Sequence, residues 1–139
     1  MEVAWSLEDR LPTPGEHRRL AEAVGWGESF DWDTLPASLN GSTLGVVAIS
    51  GERAIGMGRV VGDGVKYFAI QDLVIDPEFQ RAGIGRALLD RLLGLIADRA
   101  PSAASVTLFA SKAGETLYEA AGFQRSDMVG MFQNVEPRT

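Results

Sequence analysis

The sequence predicts an α/β fold built on a mixed sheet. Three observations carry this. Apolar, β-branched runs separated by turn signals fill residues 43–76. A long amphipathic helical pattern follows at 83–99, and another apolar run lies at 105–110. A strand, helix and strand in that order make a parallel pair when the crossover is right-handed. The 139 residues fit one domain, 1–139, large enough to build its own core.

In chain order, residues 2–7 alternate weakly and predict a first strand. Pro14-Gly15-Glu16 opens a helix running to about Val24, with Gly25 just past its end. Leu35 to Leu39 predicts a short helix closed by Asn40-Gly41. Thr43 to Ser50 and Arg53 to Val61 read as strands, the first followed by the turn Ser50-Gly51-Glu52. Gly62-Asp63-Gly64 is a hairpin signal. Val65 to Asp76 is nearly continuously apolar, as a central strand covered on both faces would be, and Pro77 ends it.

Over Gly83 to Arg99, Ile84, Leu88, Leu89, Leu92, Leu93, Leu95 and Ile96 share one half of the helical wheel. Pro101 lies past its end. Ser105 to Ala110 is the next strand, Ala113 to Ala121 a helix stopped by Gly122, and Phe123 onward, with Met128 to Asn134, supplies one or two last strands.

Composition narrows the function classes. The chain has no cysteine, which excludes a disulfide framework, a thiolate metal site and a cysteine nucleophile. That composition suits a reducing cytoplasm, the expected location. No apolar run approaches the ~20 residues that span a bilayer, and the first ten residues lack the pattern of a signal peptide. Net charge is -6, and residues 1–40 hold eight acidic side chains against three basic ones. An acidic chain without a basic stripe is a poor nucleic-acid binder, so a cationic small molecule is the expected partner. His17, the single histidine, lies in a charged helical stretch and is expected to be exposed. Its solitude argues against a Ser–His triad and a multi-histidine metal site, and no metal is expected.

The strongest local signal runs from Asp76 to Arg86 and joins the apolar strand to the amphipathic helix. Gly83 and Gly85 leave backbone N–H groups unshielded at a helix N-terminus, which carries roughly half a positive charge. Together they form a diphosphate cradle, to which Arg81 and Arg86 add charge. The other reading is that the glycines only permit close helix–strand packing. A Walker loop would continue with Gly-Lys-Ser/Thr, and none follows. A dinucleotide fingerprint would place a third glycine where Leu88 stands.

The strand Gln71-Asp72-Leu73-Val74-Ile75-Asp76-Pro77, the loop Gln80-x-x-Gly83-x-Gly85 and the segment Leu117-Tyr118-Glu119-Ala120-Ala121-Gly122-Phe123 resemble the GCN5-related N-acetyltransferase (GNAT) family. The loop matches the family's Gln/Arg-x-x-Gly-x-Gly/Ala signature at every defined position. The resemblance covers about residues 42–135, the expected cofactor-binding core. It is weaker over 1–41, the expected acceptor side. Gly25-Trp26 and the ending Met128-Val129-Gly130-Met131 are similar to small bacterial members.

The resemblance implies a mostly antiparallel sheet of six to seven strands, splayed between its fourth and fifth strands and flanked by about four helices. It implies acetyl-CoA as co-substrate and a small-molecule or peptide amine as acceptor. The pantetheine arm would pair with backbone groups of Leu73, Val74 and Ile75, and the diphosphate would lie on amides of Gln80, Arg81, Ala82, Gly83, Ile84, Gly85 and Arg86. At Ser111 many members carry an asparagine that touches the cofactor arm. Many relatives pair through late strands, so a homodimer is expected by analogy. The implied chemistry is direct attack of a neutral amine on the thioester. The alternative is a coenzyme A-binding sensor of the same fold without turnover.

Tyr118 matches the family's general acid. A phenol of pKa ~10 protonating a thiolate of pKa ~8.5 is uphill by about 2 kcal/mol, which a hydrogen bond formed as the bond breaks offsets. The other role open to Tyr118 is packing. Asp72 interrupts an apolar strand, where a carboxylate is costly unless paired. It is either the base that takes the amine's proton or an acceptor of structural hydrogen bonds. Trp26, Phe30 and Trp32, among Glu28, Asp31 and Asp33, form either an acceptor pocket or a solvated loop docked on the core. Met57, Arg59 and Phe68 are further candidates to line the cleft.

Overall fold

The computed structural model describes residues 4–138. The chain divides into two compact units, Met1–Leu108 and Phe109–Thr139. The first unit carries a five-stranded sheet in the order β1 (Ser6–Glu8), β2 (Leu44–Ser50), β3 (Arg53–Gly62), β4 (Tyr67–Ile75), β5 (Ser105–Thr107). The first three pairings are antiparallel and the β4–β5 pairing is parallel. The long helix α3 (Ile84–Arg99) makes the crossover between β4 and β5. Helices α1 (Pro14–Ala23) and α2 (Leu35–Asn40) lie between β1 and β2 in sequence.

Each element forms for a local reason. Thr13 caps α1 through a complete capping box with Glu16, and Pro14 occupies its first turn. The β3–β4 hairpin turns on Gly62-Asp63-Gly64, where Asp63 Oδ1 accepts from the N–H groups of Val65, Lys66 and Tyr67. Those bonds hold the exposed Asp63 carboxyl below its usual pKa.

The two sheet faces are covered differently. Register places Val47, Met57 and Val74 side by side on one face, where they bury against Leu20 of α1. Gly56 and Gly58 point to the other face. A Cβ on Gly58 would stand 2.8 Å from Leu92 Cδ1, and one on Gly56 would stand 3.0 Å from Leu88 Cδ1. The two glycines therefore let α3 lie directly on the sheet. Its residues Ile84, Leu88, Leu89, Leu92 and Ile96 are buried, each such side chain contributing about 1.5–3 kcal/mol of transfer free energy.

The second unit contains a turn at Lys112–Gly114 and helix α4 (Glu115–Ala120). Gly122 past its end has φ +98°, the left-handed C-terminal role expected of it. After Thr107 the described residues contain no strand, so the sheet has five strands rather than six to seven. Met128, Val129, Met131, Phe132 and Val135, expected in last strands, are all more than 80% exposed. An apolar run becomes a strand only when a neighbour pairs with it, and here none does.

Candidate active site

The site is built where β4 meets α3. Loop residues Gln80, Arg81, Ala82 and Gly83 are exposed. Arg81 has φ +67° and Gly83 has φ +82°, so the chain turns left-handed twice within three residues. A β-carbon at Arg81 makes this conformation cost about 1–2 kcal/mol. Successive turns of this kind aim backbone N–H groups toward one side. Gly83 is the residue before α3 and caps it with no side chain; the first turn holds no acidic residue. Arg81 and Arg86 instead place positive charge at the helix's positive end. That arrangement is unfavourable alone and becomes favourable with an anion present. Arg86 also donates to Asp90 at 2.9 Å, one turn on. A Cβ on Gly83 would meet nothing within 4 Å, so the loop is open above that residue.

Strand β4 pairs with β5 only over Tyr67–Ala69. From Ile70 to Ile75, β4 has no strand partner on that side among the described residues. Leu73, Val74 and Ile75 lie in this stretch, which runs toward the Gly83 loop. Phe68 sits at the paired end, 1% exposed and opposite Gly62 and Val106. It is a core side chain and is not brought to the opening.

Asp72 sits at a bulge in β4. The β3–β4 register shifts between Met57 and Arg59, so Asp72 and Leu73 together oppose Gly58. Asp72 has φ +56°. The extra residue re-aims its side chain, as bulges do. Strict alternation after Gln71 would point Asp72 toward α3; the bulge turns it to the α1 face. There Oδ2 accepts from Arg59 Nε at 2.8 Å and lies 3.0 Å from His17 Nε2. Burial pushes the Asp72 carboxyl up, but the His17 hydrogen bond and the Arg59 guanidinium outweigh it and hold it below its usual range. Arg59 also donates to the Ser38 carbonyl and Ser42 Oγ, joining α2 to the same point.

His17 is fully buried, contrary to the exposed position expected of it. His17, Leu20 and Ala21 form the i, i+3, i+4 stripe of α1 that faces the sheet. Phe30 packs edge-on to its ring at 4.9 Å and Trp32 at 6.0 Å. Arg18 stands over the Trp32 ring at 5.1 Å, and Trp32 Nε1 donates to the Gly27 carbonyl. Phe30 and Trp32 are thus half-buried and docked, whereas Trp26 is 39% exposed. Glu28, Asp31 and Asp33 are exposed.

A buried carboxylate, Asp76, fixes the start of the loop. Asp76 Oδ2 pairs with Arg53 at 2.9 Å and Arg19 at 3.3 Å, while Oδ1 accepts from Glu78 N–H. Strand β3 and helix α1 therefore brace the segment leading to Gly83. Sequence reasoning missed His17 and the bracing by Asp76. The stripe of α1 signalled the first. No local pattern signalled the second, whose partners lie 57 and 23 residues away.

In the second unit, Ser111 caps the Lys112–Gly114 turn, its Oγ accepting from Gly114 N–H at 3.2 Å. Tyr118 is half-buried in α4 and packs edge-on to Phe123 at 6.1 Å. Burial pushes its phenol up, so it stays protonated at neutral pH. Among the described residues no group of three His, Cys, Asp or Glu side chains could hold a metal, and no helix is long and apolar enough to cross a membrane.

The sequence pattern of the acetyltransferase (GNAT) domain matches residues 21–136. The chain belongs to the GNAT acetyltransferase family. The match begins after His17 and takes in β4, the Gly83 loop, α3 and Tyr118. This GNAT chain is 32% identical over 83 residues to the histone acetyltransferase TAP1 of Glycine max, covering 58% of this chain and 35% of that protein. It spans about a third of the length of the first curated relatives it matches. A probable acetyltransferase of Staphylococcus aureus superposes with a TM-score of 0.86 at 23% identity, over 95% of this chain and 100% of that one. A predicted acetyltransferase of Clostridium acetobutylicum, solved with acetyl-CoA, superposes with a TM-score of 0.74 at 16% identity, over 94% and 96%. At these identities the two structures show a shared GNAT fold.

Proposed function

We propose that this GNAT domain moves the acetyl group of acetyl-CoA to a primary amine by direct attack. The observation that carries the reading is the N-terminus of α3. It has no side-chain cap, no acid in its first turn and two left-handed residues ahead of it, and it follows a strand whose β5 side has no strand partner beyond Ala69 among the described residues. Those features fit a diphosphate on the amides of Gln80 to Arg86 and an extended arm along Leu73, Val74 and Ile75.

Acetyl-CoA supplies the thioester carbon, and the amine nitrogen attacks it as the neutral amine, after the anchored ammonium has given one proton to solvent water. In this reading a β4 backbone N–H faces the oxygen on which charge develops. Tyr118 gives its phenolic proton to the sulfur as the C–S bond breaks and the C–N bond forms. The proton leaving the nitrogen restores the phenol through water. Beside the two roles open to Asp72, proton-taking base and acceptor of structural hydrogen bonds, its surroundings suit a third. A carboxylate held below its usual pKa is a weak base, but it remains an anion for an ammonium. We assign Asp72 to anchoring the acceptor, with Oδ1 facing it, and Phe30 and Trp32 to walling the acceptor side. The acceptor class is a primary amine of a small molecule or peptide.

Two measurements test this. Acetyl-CoA raises the melting temperature while ATP and NAD do not, and a panel of primary amines, 2-phenylethylamine among them, releases free thiol from acetyl-CoA. A melting temperature unmoved by acetyl-CoA removes the cradle. Binding without thiol release for any amine makes the chain a sensor and removes the transfer.

A further inference from the structure

We propose that His17, which lies ahead of the family match, is a positioning residue for the acceptor: its Nε2–H fixes Asp72 so that Oδ1 alone is left for the incoming ammonium. This rests on the reading of Asp72 as the acceptor's anchor.

The hydrogen-bond inventory settles the direction of the contact. Asp72 Oδ2 already accepts from the guanidinium of Arg59 and can only accept from His17. Nε2 therefore carries the proton, and a neutral ring then has a bare lone pair at Nδ1. Nδ1 is buried with no hydrogen-bond partner among the described residues. A doubly protonated ring would bury an N–H without an acceptor at that atom. The arrangement fits the neutral Nε2–H tautomer.

A neutral donor at this place has a specific consequence. Arg59 already balances the charge of Asp72, and a second cation at position 17 would turn the site repulsive to an ammonium. His17 orients the carboxylate without adding charge. Both donors bind the same oxygen, so together they fix the carboxylate's rotation and leave Oδ1 free of protein hydrogen bonds among the described residues. The left-handed backbone at Asp72 puts the group on the α1 face, and Phe30 and Trp32 hold the plane of the imidazole. Packing alone would favour leucine at so buried a position, since it leaves no lone pair unpartnered.

The chain's single histidine makes the test clean. In protein labelled with 15N-histidine near neutral pH, the ring should show the Nε2–H tautomer. Adding 2-phenylethylamine in the presence of coenzyme A should shift its Nε2 signal, and the shift should vanish in Asp72→Asn. An Nδ1–H tautomer, or an Nε2 signal indifferent to the amine at any concentration, overturns the proposal. In thiol-release kinetics, His17→Leu should raise KM for the amine about tenfold or more and leave KM for acetyl-CoA unchanged. His17→Gln, which keeps an N–H near Oδ2, should recover most of the loss. Equal increases in both KM values, or no rescue by glutamine, indicate a structural role and overturn it. If Asp72→Asn itself leaves the amine KM unchanged, the anchor reading fails. If Asp72→Asn raises it and His17→Leu does not, only the role of His17 fails.

Discussion

At Asp72 a carboxylate sits in a left-handed bend of a central strand, between an arginine from β3 and a histidine from α1. Its pKa is lower folded than unfolded, so its contribution to stability is complete above the unfolded value of roughly 3.9. That contribution disappears as pH falls through the folded value. The wild-type melting temperature should therefore fall more steeply than that of Asp72→Asn between about pH 5 and 3; parallel curves would contradict the pairing. Tyr118→Phe removes the proposed proton donor and keeps the packing on Phe123. It should lower kcat by about 10²-fold or more, with KM for acetyl-CoA little changed; a full turnover rate would remove the role. Part of this scale was legible. An acid inside an apolar strand is conspicuous, and so is a tyrosine in a recognised segment. His17 was hidden by its neighbours, because Glu16, Arg18 and Arg19 make the stretch look solvated although every third or fourth residue faces the sheet.

Between elements, the decisive contact is α3 on β3. Gly58 lets Leu92 and Leu73 close over the strand. Gly58→Val should cost about 1–3 kcal/mol by overpacking and lower the melting temperature; an unchanged one would show that α3 can move away freely. The same helix presents its uncapped end at Gly83, where a Cβ would meet open space but a β-branched residue strains φ +82°. Most strands and helices from Pro14 to Thr107 could be read because local signals punctuate them: Pro14, Gly62-Asp63-Gly64, Pro77; the first strand, expected over 2–7, is Ser6–Glu8, and residues 2–3 lie outside the described residues. The bulge at Asp72 could not, since it is defined by the partner strand's register. The last strands failed for a related reason. Met128 to Asn134 has the residues of a strand, but pairing depends on a neighbour far along the chain.

Across the whole molecule, the acidic N-terminal forty residues carry α1, α2 and the aromatic turn, while Arg81 lies in the Gly83 loop and Arg86 in the first turn of α3. The sign of charge thus differs between the proposed acceptor side and the proposed phosphate cradle, which suits a cationic acceptor and an anionic co-substrate. The central claim is that bare amides ahead of and within the first turn of α3 hold two linked phosphates. Backbone amide shifts during a titration with coenzyme A test it most directly. The account predicts the largest changes at Arg81 to Arg86, with matching changes at Leu73 to Ile75, and their loss in a still-folded Gly83→Val. Coenzyme A binding that leaves Arg81 to Arg86 unperturbed, or that survives Gly83→Val at full affinity, would contradict it.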